Sequence, residues 1–524
     1  MLLIGLTLSS AFTLATEAQT PNFRWAKRAG GAADEVGNGI GVDSVGNTYV
    51  AGYFKSTNLT FGATVLTNGG GADLFVVKYD FTGNVVWSKK AGGSTNDFAN
   101  GSAVDAAGNA YVTGYSLSTN LSFSGIQVSN MGSADIFLAK YDSTGNLAWV
   151  RSAGGSGYDA GNAIAVDAAG NCYVAGFFYS STAAFGGLVL TNGGQDNMFI
   201  AKYDSAGNAV WAKQAGGISF DLALAVAVDS AGNSFVSGNF FSSTASFGGN
   251  ITLTNSGEND VFVAKYDPSG TALWARQVKG ASDDYGYGLV ADGAGNCYVT
   301  GTFFSSVATF ATGLTLTNGG YNDIFLAKYD PAGTALWTRK AGGNSDDYSF
   351  ALAIDSATNL YLAGNLYSTN ATFGSLSLTN AGSHDIFIAK YNSAGTAQWV
   401  KRAGGNGADS AYALALDAGG NCHLTGLFAS TNAAFGSTVL TNSGGNDLFV
   451  AQIDGDPPTL SYARAGNRFV VFWPTNQFGF GLESRPTFAS SNNWSAATNQ
   501  LVRSGSQFFA TNTLPGNAFF RLRK

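Results

Sequence analysis

Short runs of alternating apolar and polar residues recur along the chain, separated by turns rich in Asp, Gly and Asn. Within one stretch, four such runs lie at 162–167, 172–177, 198–203 and 209–213. A period of two predicts β-strands. The first and last connections both read Asp-x-x-Gly-Asn, where Asp can bond back to the turn backbone and Gly accepts a positive φ. The pattern therefore predicts four antiparallel strands that include two tight hairpins.

This four-strand pattern repeats. Trp recurs every 62 or 63 residues, at positions 25, 87, 149, 211, 274, 337 and 399. Phe follows the same period, at positions 75, 137, 199, 262, 325, 387 and 449. Seven units of one four-stranded sheet each predict an all-β fold, a seven-bladed β-propeller.

The order of strands within a blade follows from charge. Each Trp strand carries Lys or Arg, and charges protect exposed sheet edges, so we expect the Trp strand outermost and the small, apolar first strand at the axis. The Trp25 strand precedes any first strand, and no Trp strand follows residues 447–453. We therefore expect residues 23–29 to pair with residues 447–453 and to close the ring.

The motif Phe-x-Ala-Lys-Tyr-Asp-x-x-Gly-Asn-x-x-Trp, followed by Ala-Gly-Gly and Asp-x-x-Gly-Asn-x-Tyr-Val-x-Gly, resembles the SBBP (seven-bladed β-propeller) repeat. The resemblance covers residues 21–454. Local departures are Asn392 for the hairpin Asp and Thr358 for the hairpin Gly. The resemblance implies a bacterial exported or surface protein, and it implies no shared catalytic activity.

The two ends of the chain differ from the repeats. The apolar run from Leu2 to Ala15 predicts an export signal over residues 1–18, although no Lys or Arg precedes it. Pro457-Pro458 suggests a linker at 455–458. Residues 459–524 predict a small β-sandwich that resembles fibronectin-type-III-like modules of exported Gram-negative proteins. We expect a secreted or cell-surface protein without a transmembrane anchor.

Composition narrows the function. Charged residues make up 12% of the chain and the formal net charge is −7. Few charges with many aromatics and Gly exclude disorder, a coiled coil and collagen, and the negative charge argues against nucleic-acid binding. Cys172, Cys297 and Cys422 share one position in three separate units, which predicts buried thiols and no disulfide. With two His residues in all, a metal cluster or catalytic triad is not expected, and we expect no cofactor.

Two repeated Asp series are candidates for more than turn formation. As carboxylates in facing loops, the first series offers weak Ca²⁺ candidates, and Asx turns are the structural alternative. The first series follows Ala-Gly-Gly and comprises Asp34, Asp97, Asp159, Asp221, Asp284, Asp347 and Asp409. The second precedes the third strand and comprises Asp73, Asp135, Asp196, Asp260, Asp323, Asp385 and Asp447.

The ligand face is predicted opposite the tight hairpins, where the long connections lie. Aromatic faces with carboxylate neighbours suit sugars. The candidates there are Tyr158, Tyr285, Tyr321, Tyr348, Asp284 and Asp347. We therefore expect a non-catalytic, monomeric binding scaffold at the cell surface, with an extracellular glycan or surface protein as ligand. The alternatives are a polysaccharide-active hydrolase or lyase, which one divergent acid-rich blade would indicate, and a structural matrix or adhesion component.

Overall fold

Seven antiparallel sheets of four main strands follow one another along residues 23–453 of the computed structural model. The structure describes residues 21–455 throughout. Beyond this range it describes only the backbone of short strands, together with Leu482 and Glu483. In blades 1 to 6 the chain runs from the innermost strand outwards, so the strand order within these blades is that of the sequence. The predicted seven-bladed β-propeller is confirmed.

The strand bounds show how regular the repeat is. Blades 1 to 3 are Glu35–Val42, Thr48–Phe54, Asp73–Tyr79 and Val85–Gly92; Asp97–Val104, Ala110–Ser116, Asp135–Tyr141 and Leu147–Gly154; and Asp159–Val166, Cys172–Phe178, Asn197–Tyr203 and Ala209–Ala215. Blades 4 to 6 are Asp221–Val228, Ser234–Phe240, Asp260–Tyr266 and Ala272–Val278; Asp284–Ala291, Cys297–Phe303, Asp323–Tyr329 and Ala335–Gly342; and Asp347–Ile354, Leu360–Leu366, Asp385–Tyr391 and Ala397–Ala403. Blade 7 takes Asp409–Leu416, Cys422–Phe428, Asp447–Ile453 and, from the start of the chain, Phe23–Ala29.

The ring closes as the sequence predicts. Phe23–Ala29 pairs with Asp447–Ile453 and forms the outer strand of blade 7. Arg28 Nη1 lies 2.7 Å from Asp447 Oδ2 across this junction. The last blade is thus built from both ends of the propeller segment, which ties the chain termini of the ring together.

The connection between the second and third strands differs from the sequence prediction of a long loop. In each blade it folds into a short β-hairpin, such as Thr182–Phe185 with Leu188–Thr191. In blades 2, 3 and 6 the hairpin also pairs with the Trp strand of the preceding blade, for example through Phe185 and Ala153. The remaining hairpins are Asn58–Phe61 with Thr64–Thr67, Asn120–Phe123 with Ile126–Ser129, Thr244–Ser246 with Thr252–Thr254, Val307–Ala311 with Leu314–Thr317, Asn370–Phe373 with Leu376–Thr379, and Asn432–Phe435 with Thr438–Thr441.

The repeated Trp residues join neighbouring blades. Trp87 of blade 1 packs between Tyr49 of its own blade and Tyr141 of blade 2, with ring centroids 6.0 and 6.2 Å away. Its Nε1 donates to the carbonyl of Ser143 in the next blade's outer hairpin, at 3.2 Å. Burying large aromatic surfaces at each seam supplies much of the favourable free energy of folding.

The strands outside the ring form two further sheets. One is ordered Ser461–Ala465, Arg468–Pro474, Gln507–Thr513 and Leu501–Ser504. The other is ordered Thr13–Thr16, Leu2–Gly5, Phe519–Arg523, Gly481–Arg485 and Ser495–Ala496. Parts of the predicted export signal, linker and β-sandwich lie outside the described residues, and these three interpretations stay predictions. Within the part of the chain that is described, no helix is long and apolar enough to cross a membrane.

Candidate functional site

We call the end of the propeller opposite the Asp-x-x-Gly hairpins the loop face. There, a carboxylate at the start of each innermost strand accepts hydrogen bonds from the loops and holds them in place. Asp284 accepts hydrogen bonds from the backbone N–H and the hydroxyl of Ser305, at 3.1 and 2.9 Å. Asp347 does the same with Ser368, and both acids are fully buried. Burial raises the pKa of Asp284 to about 7 and that of Asp347 to about 6. The predicted ligand-face role of these two carboxylates therefore gives way to a structural one.

The structure also corrects one member of each Asp series. Glu35, not Asp34, occupies the first position, since it accepts from the N–H groups of Gly31 and Ser56 as the later Asp residues do at the same spacing. Asn197, not Asp196, opens the third strand of blade 3. Asp34 lies one residue earlier, where it bonds Lys55 at 3.0 Å and Asn446 at 3.0 Å.

Five members of the second series, Asp73, Asp260, Asp323, Asp385 and Asp447, bond to a side chain of the outer strand of their own blade. Asp73 and Lys90 lie 2.5 Å apart, and Asp323 and Lys340 lie 2.9 Å apart. Asp260 accepts instead from Gln277, at 2.5 Å. In the described residues no group of three or more His, Cys, Asp or Glu side chains could hold a metal ion. The first series thus offers isolated carboxylates already bonded to amides and hydroxyls, and the Ca²⁺ hypothesis gains no support from their geometry.

Each innermost strand carries a β-bulge, and the residue at the bulge differs between blades. Each bulge inserts one extra residue between paired neighbours, and a bulge re-aims the side chain that it carries. All seven of these side chains are partly exposed, whereas the residue before each of them is buried and the residue after it is buried in five of the seven blades. We call them the axial ring: Asn38, Asn100, Asn162, Leu224, Tyr287, Phe350 and Tyr412.

The axial ring has two chemically different halves. Asn38, Asn100 and Asn162 donate from Nδ2 to backbone carbonyls of the following blade, at 2.9, 3.1 and 3.0 Å. Around the other half, Phe350 contacts Tyr287 and Tyr412 with ring centroids 5.3 and 5.5 Å away. The ring is therefore one of the places where the blades differ from one another, whereas the Trp and Phe positions of the framework repeat.

Further rings extend the apolar half into an aromatic arc, defined as Tyr285, Tyr287, Tyr348, Phe350, Tyr367 and Tyr412. Tyr285 stacks on Tyr287 and Tyr348 stacks on Phe350, both at 5.8 Å between centroids. Tyr367 meets Tyr348 edge to face at 6.1 Å. The predicted candidates Tyr285 and Tyr348 therefore lie in one cluster, which spans blades 5 to 7.

The acids of the arc are the residues just before the predicted ones. Asp346 accepts from Asn322 Nδ2 at 2.8 Å, and the same Nδ2 lies 3.0 Å from the Tyr348 hydroxyl. Asp283 accepts from Asn259 at 2.6 Å. Burial, then the charge of Asp283, raises the pKa of Tyr285; burial, then Asp346, raises that of Tyr348. Both carboxylates are partly exposed, so they remain available to a ligand.

Sequence reasoning missed Tyr287, Phe350 and Tyr412 because their exposure depends on the bulge. The signal present in the sequence was the change at the fourth residue of the innermost strand, from Asn in the first three units to an aromatic residue in the last three. It also missed Asp283 and Asp346, since the repeated Asp at the next position hid them.

The other candidates lie elsewhere. Tyr158 belongs to a second cluster, with Tyr115 and Phe177 at 5.2 and 5.9 Å. Tyr321 is 66% exposed in the loop before the third strand of blade 5. His384 packs on Tyr367 at 4.3 Å, and burial lowers its pKa. The structure therefore does not unite the four predicted tyrosines in one site.

The three cysteines are buried, as predicted, and none forms a disulfide. Burial raises the pKa of Cys172 to about 12, so the thiol stays protonated and unreactive near neutral pH.

Comparison with known proteins agrees with this architecture. The SBBP β-propeller repeat model matches residues 24–59, 86–122 and 273–302. The chain is 24% identical over 498 residues to an uncharacterized WD repeat-containing protein of Acanthamoeba polyphaga mimivirus, a match covering 77% of this chain and 36% of that protein. It is 30% identical over 173 residues to the regulatory protein FlaEY of Caulobacter vibrioides, covering 31% of this chain and 18% of FlaEY. These matches span well under half of either relative.

Solved structures with a similar course of the chain include the WD40 β-propeller domain of Doa1, with a TM-score of 0.37, 10% identity and coverage of 83% of this chain and 96% of that one. An apocarotenoid oxygenase of Synechocystis has a TM-score of 0.36 and 9% identity, with 82% and 97% covered. The strand pairing, the sevenfold period and the matched repeats together identify the chain as a β-propeller repeat protein similar to the SBBP repeat proteins.

Proposed function

We propose that the protein is a non-catalytic binding scaffold whose loop face holds a glycan at the aromatic arc and axial ring. The observation that carries the proposal is the replacement of Asn38, Asn100 and Asn162 by Leu224, Tyr287, Phe350 and Tyr412 at one bulged, partly exposed position. The aromatic half offers apolar faces to a pyranose ring. The amide half and the tyrosine hydroxyls offer hydrogen-bonding partners to its hydroxyl edge.

We also propose export to the cell surface. The apolar run from Leu2 to Ala15 supports this proposal. Mass spectrometry of the protein recovered from the medium or the cell envelope tests it, because the exported protein should lack residues 1–18.

A glycan array probed with the full chain tests the proposed ligand class. Tyr287→Ala combined with Phe350→Ala should weaken binding to any retained glycan at least about tenfold, as truncation of aromatic anchors commonly does. Tyr321→Ala is the matched control, because it removes an exposed tyrosine outside the arc. Thermal melting of all variants confirms that the ring is intact.

Three results would contradict the proposal. An array without any retained glycan argues against glycan binding. Binding that survives the double variant but is lost on removal of residues 457–524 places the site in the C-terminal segment. Release of reducing sugar from a retained glycan makes the protein an enzyme.

A further inference from the structure

The chain covers many aromatic rings with its own cations. Lys78 Nζ lies 4.8 Å from the ring centre of Tyr49, and Lys390 lies 5.0 Å from that of Tyr361. Arg276 and Arg339 lie over Trp274 and Trp337 in the same way. A cation over a ring face is attracted by the negative charge of the π-system, so these contacts stabilise the blade seams.

The aromatic arc lacks such a cation. Among the cation–π contacts of the described residues, none involves Tyr285, Tyr287, Tyr348, Phe350, Tyr367 or Tyr412. Nearby Lys340 is paired with Asp323 and Arg402 with Asp385, at 2.9 and 2.8 Å. The arc therefore combines six aromatic rings with no positive charge placed over them.

Negative charge accompanies the arc instead. Asp283 and Asp346 lie beside Tyr285 and Tyr348, and their hydrogen-bond donors are neutral: the amides of Asn259 and Asn322 and, for Asp283, also the Tyr285 hydroxyl. The carboxylate of exposed Glu258 also acts on Tyr285 and raises its pKa, after burial and Asp283. The corresponding acid of blade 1, Asp34, differs because Lys55 neutralises it at 3.0 Å.

Buried polar atoms without partners lie in the same two blades, 5 and 6. In the described part of the chain, Asn322 Oδ1, Asn365 Oδ1 and His384 Nδ1 have no hydrogen-bond partner. Asn322 is fixed by its bonds to Asp346 and Tyr348, and His384 packs on Tyr367. The region thus carries π-faces and partly exposed carboxylates, which favour a cationic ligand, beside buried polar atoms that the chain itself leaves without partners.

We propose that the aromatic arc recognises protonated amino groups, and that its ligand is an amino-sugar oligosaccharide. This deepens the proposed function and rests on it for the glycan part of the ligand. The pyranose ring packs on the exposed ring faces, and the ammonium group lies between the π-systems and the carboxylates of Asp283 and Asp346.

Calorimetric titration of the full chain with matched oligosaccharides tests the charge preference. The probes are a glucosamine hexamer, the N-acetylglucosamine hexamer with the same backbone, and a uronic acid hexamer. The glucosamine hexamer should bind about tenfold more tightly than its acetylated counterpart near pH 6 and in low salt. The advantage should shrink as salt rises or as alkaline pH deprotonates the amines, and the uronic acid hexamer should bind most weakly.

Substitutions locate the charge recognition. Asp283→Asn with Asp346→Asn should lower affinity for the glucosamine hexamer about three- to tenfold and leave the acetylated hexamer unchanged. Asp34→Asn is the matched control, since it removes the corresponding acid where Lys55 already neutralises it, and it should change neither affinity.

The failures of the two proposals are distinguishable. Equal affinity for the two hexamers, or equal losses in the Asp34 and Asp283/Asp346 variants, overturns the amine preference while glycan binding stands. Retention of a lysine hexapeptide with no binding of any of the three oligosaccharides overturns the glycan assignment itself.

Discussion

Asp283 and Asp284 are consecutive in the chain, yet one carboxylate faces the aromatic arc and the other is sealed inside the loop face. Asp283 is partly exposed and accepts from Asn259 at 2.6 Å. Asp284 is fully buried and accepts from Ser305, and burial raises its pKa to about 7. Asp283 is the last residue of the loop and Asp284 the first of the innermost strand, so the two carboxylates lie in different surroundings.

The buried member of the pair makes stability depend on pH. Because the folded pKa of Asp284 is about 7 against an ordinary value of 3.8, the folded state binds this proton more tightly than the unfolded state. Its stabilising contribution is therefore fully present below pH 3.8 and is lost as pH rises through about 7.

We expect Asp284→Asn to flatten the fall in unfolding free energy between pH 5 and pH 8, by up to about 1.4 kcal/mol per pH unit. Denaturant unfolding at several pH values measures the slopes of the wild type and of Asp284→Asn, and identical slopes would show that this carboxylate does not titrate in that range.

Because the first strand closes the ring, Trp25 on that strand should contribute to stability and also to ring closure. Trp25 packs against Tyr79 and His423 at 6.4 and 6.2 Å, so it touches blades 1 and 7. Trp25→Ala should cost about 3–5 kcal/mol of stability, as large core truncations do, and should also loosen the outer strand of blade 7. Thermal melting measures the loss of stability, and limited proteolysis of the folded protein measures the loosening of the outer strand.

Trp211→Ala separates closure from packing. Trp211 is as deeply buried, at 8% exposure against 7% for Trp25, but lies in blade 3. Trp211→Ala should lose about as much stability as Trp25→Ala, but limited proteolysis should show no new cleavage near residue 30. Early cleavage at that place in both variants would contradict a special role of the first strand.

The seam between blades 7 and 1 differs from the other seams at two residues that contact each other. Six blades place Lys over an aromatic ring in the second strand, as with Lys78 and Tyr49, whereas blade 7 has Gln452 and His423. His423 is fully buried, with Nδ1 2.7 Å from Thr48 Oγ1 of blade 1 and Nε2 3.1 Å from Gln452.

A double-mutant cycle measures this coupling. His423→Tyr leaves a tyrosine without its cation, and Gln452→Lys buries a cation beside His423, so each single variant should lose stability. The combined variant should regain roughly 0.5–2 kcal/mol relative to the sum of the two, because it restores the cation–π pair. Additive losses in chemical denaturation would mean that the two positions act independently.

The repeat and the strand order followed from sequence because the sevenfold period and the edge charges are local properties of each strand. Residues 23–29 were placed correctly for the same reason, since only one Trp strand lacked a blade. The bulge at Tyr287 and Phe350 was not predictable from alternation, because it depends on pairing with the second strand. The hairpin at Thr182–Phe185 also depends on tertiary contacts, since part of its stability comes from pairing with the preceding blade.

Thr358 shows where the repeat itself is strained. It stands at the hairpin position that Gly holds in the other blades and has a φ of 61°, as Gly46 has a φ of 87°. A β-branched residue pays about 1–2 kcal/mol in this left-handed region, whereas Gly costs about 0.5–1 kcal/mol in lost chain freedom. Thr358→Gly should therefore raise stability by roughly 0.5–1 kcal/mol, with the turn bond from residue 358 N–H to the Asp355 carbonyl, 2.9 Å in wild type, retained. Ala357→Gly is the control: the φ of Ala357 is not positive, so this variant should lose stability. Calorimetric melting compares the two variants. A Thr358→Gly variant that melts earlier than wild type would show that the threonine side chain stabilises the turn.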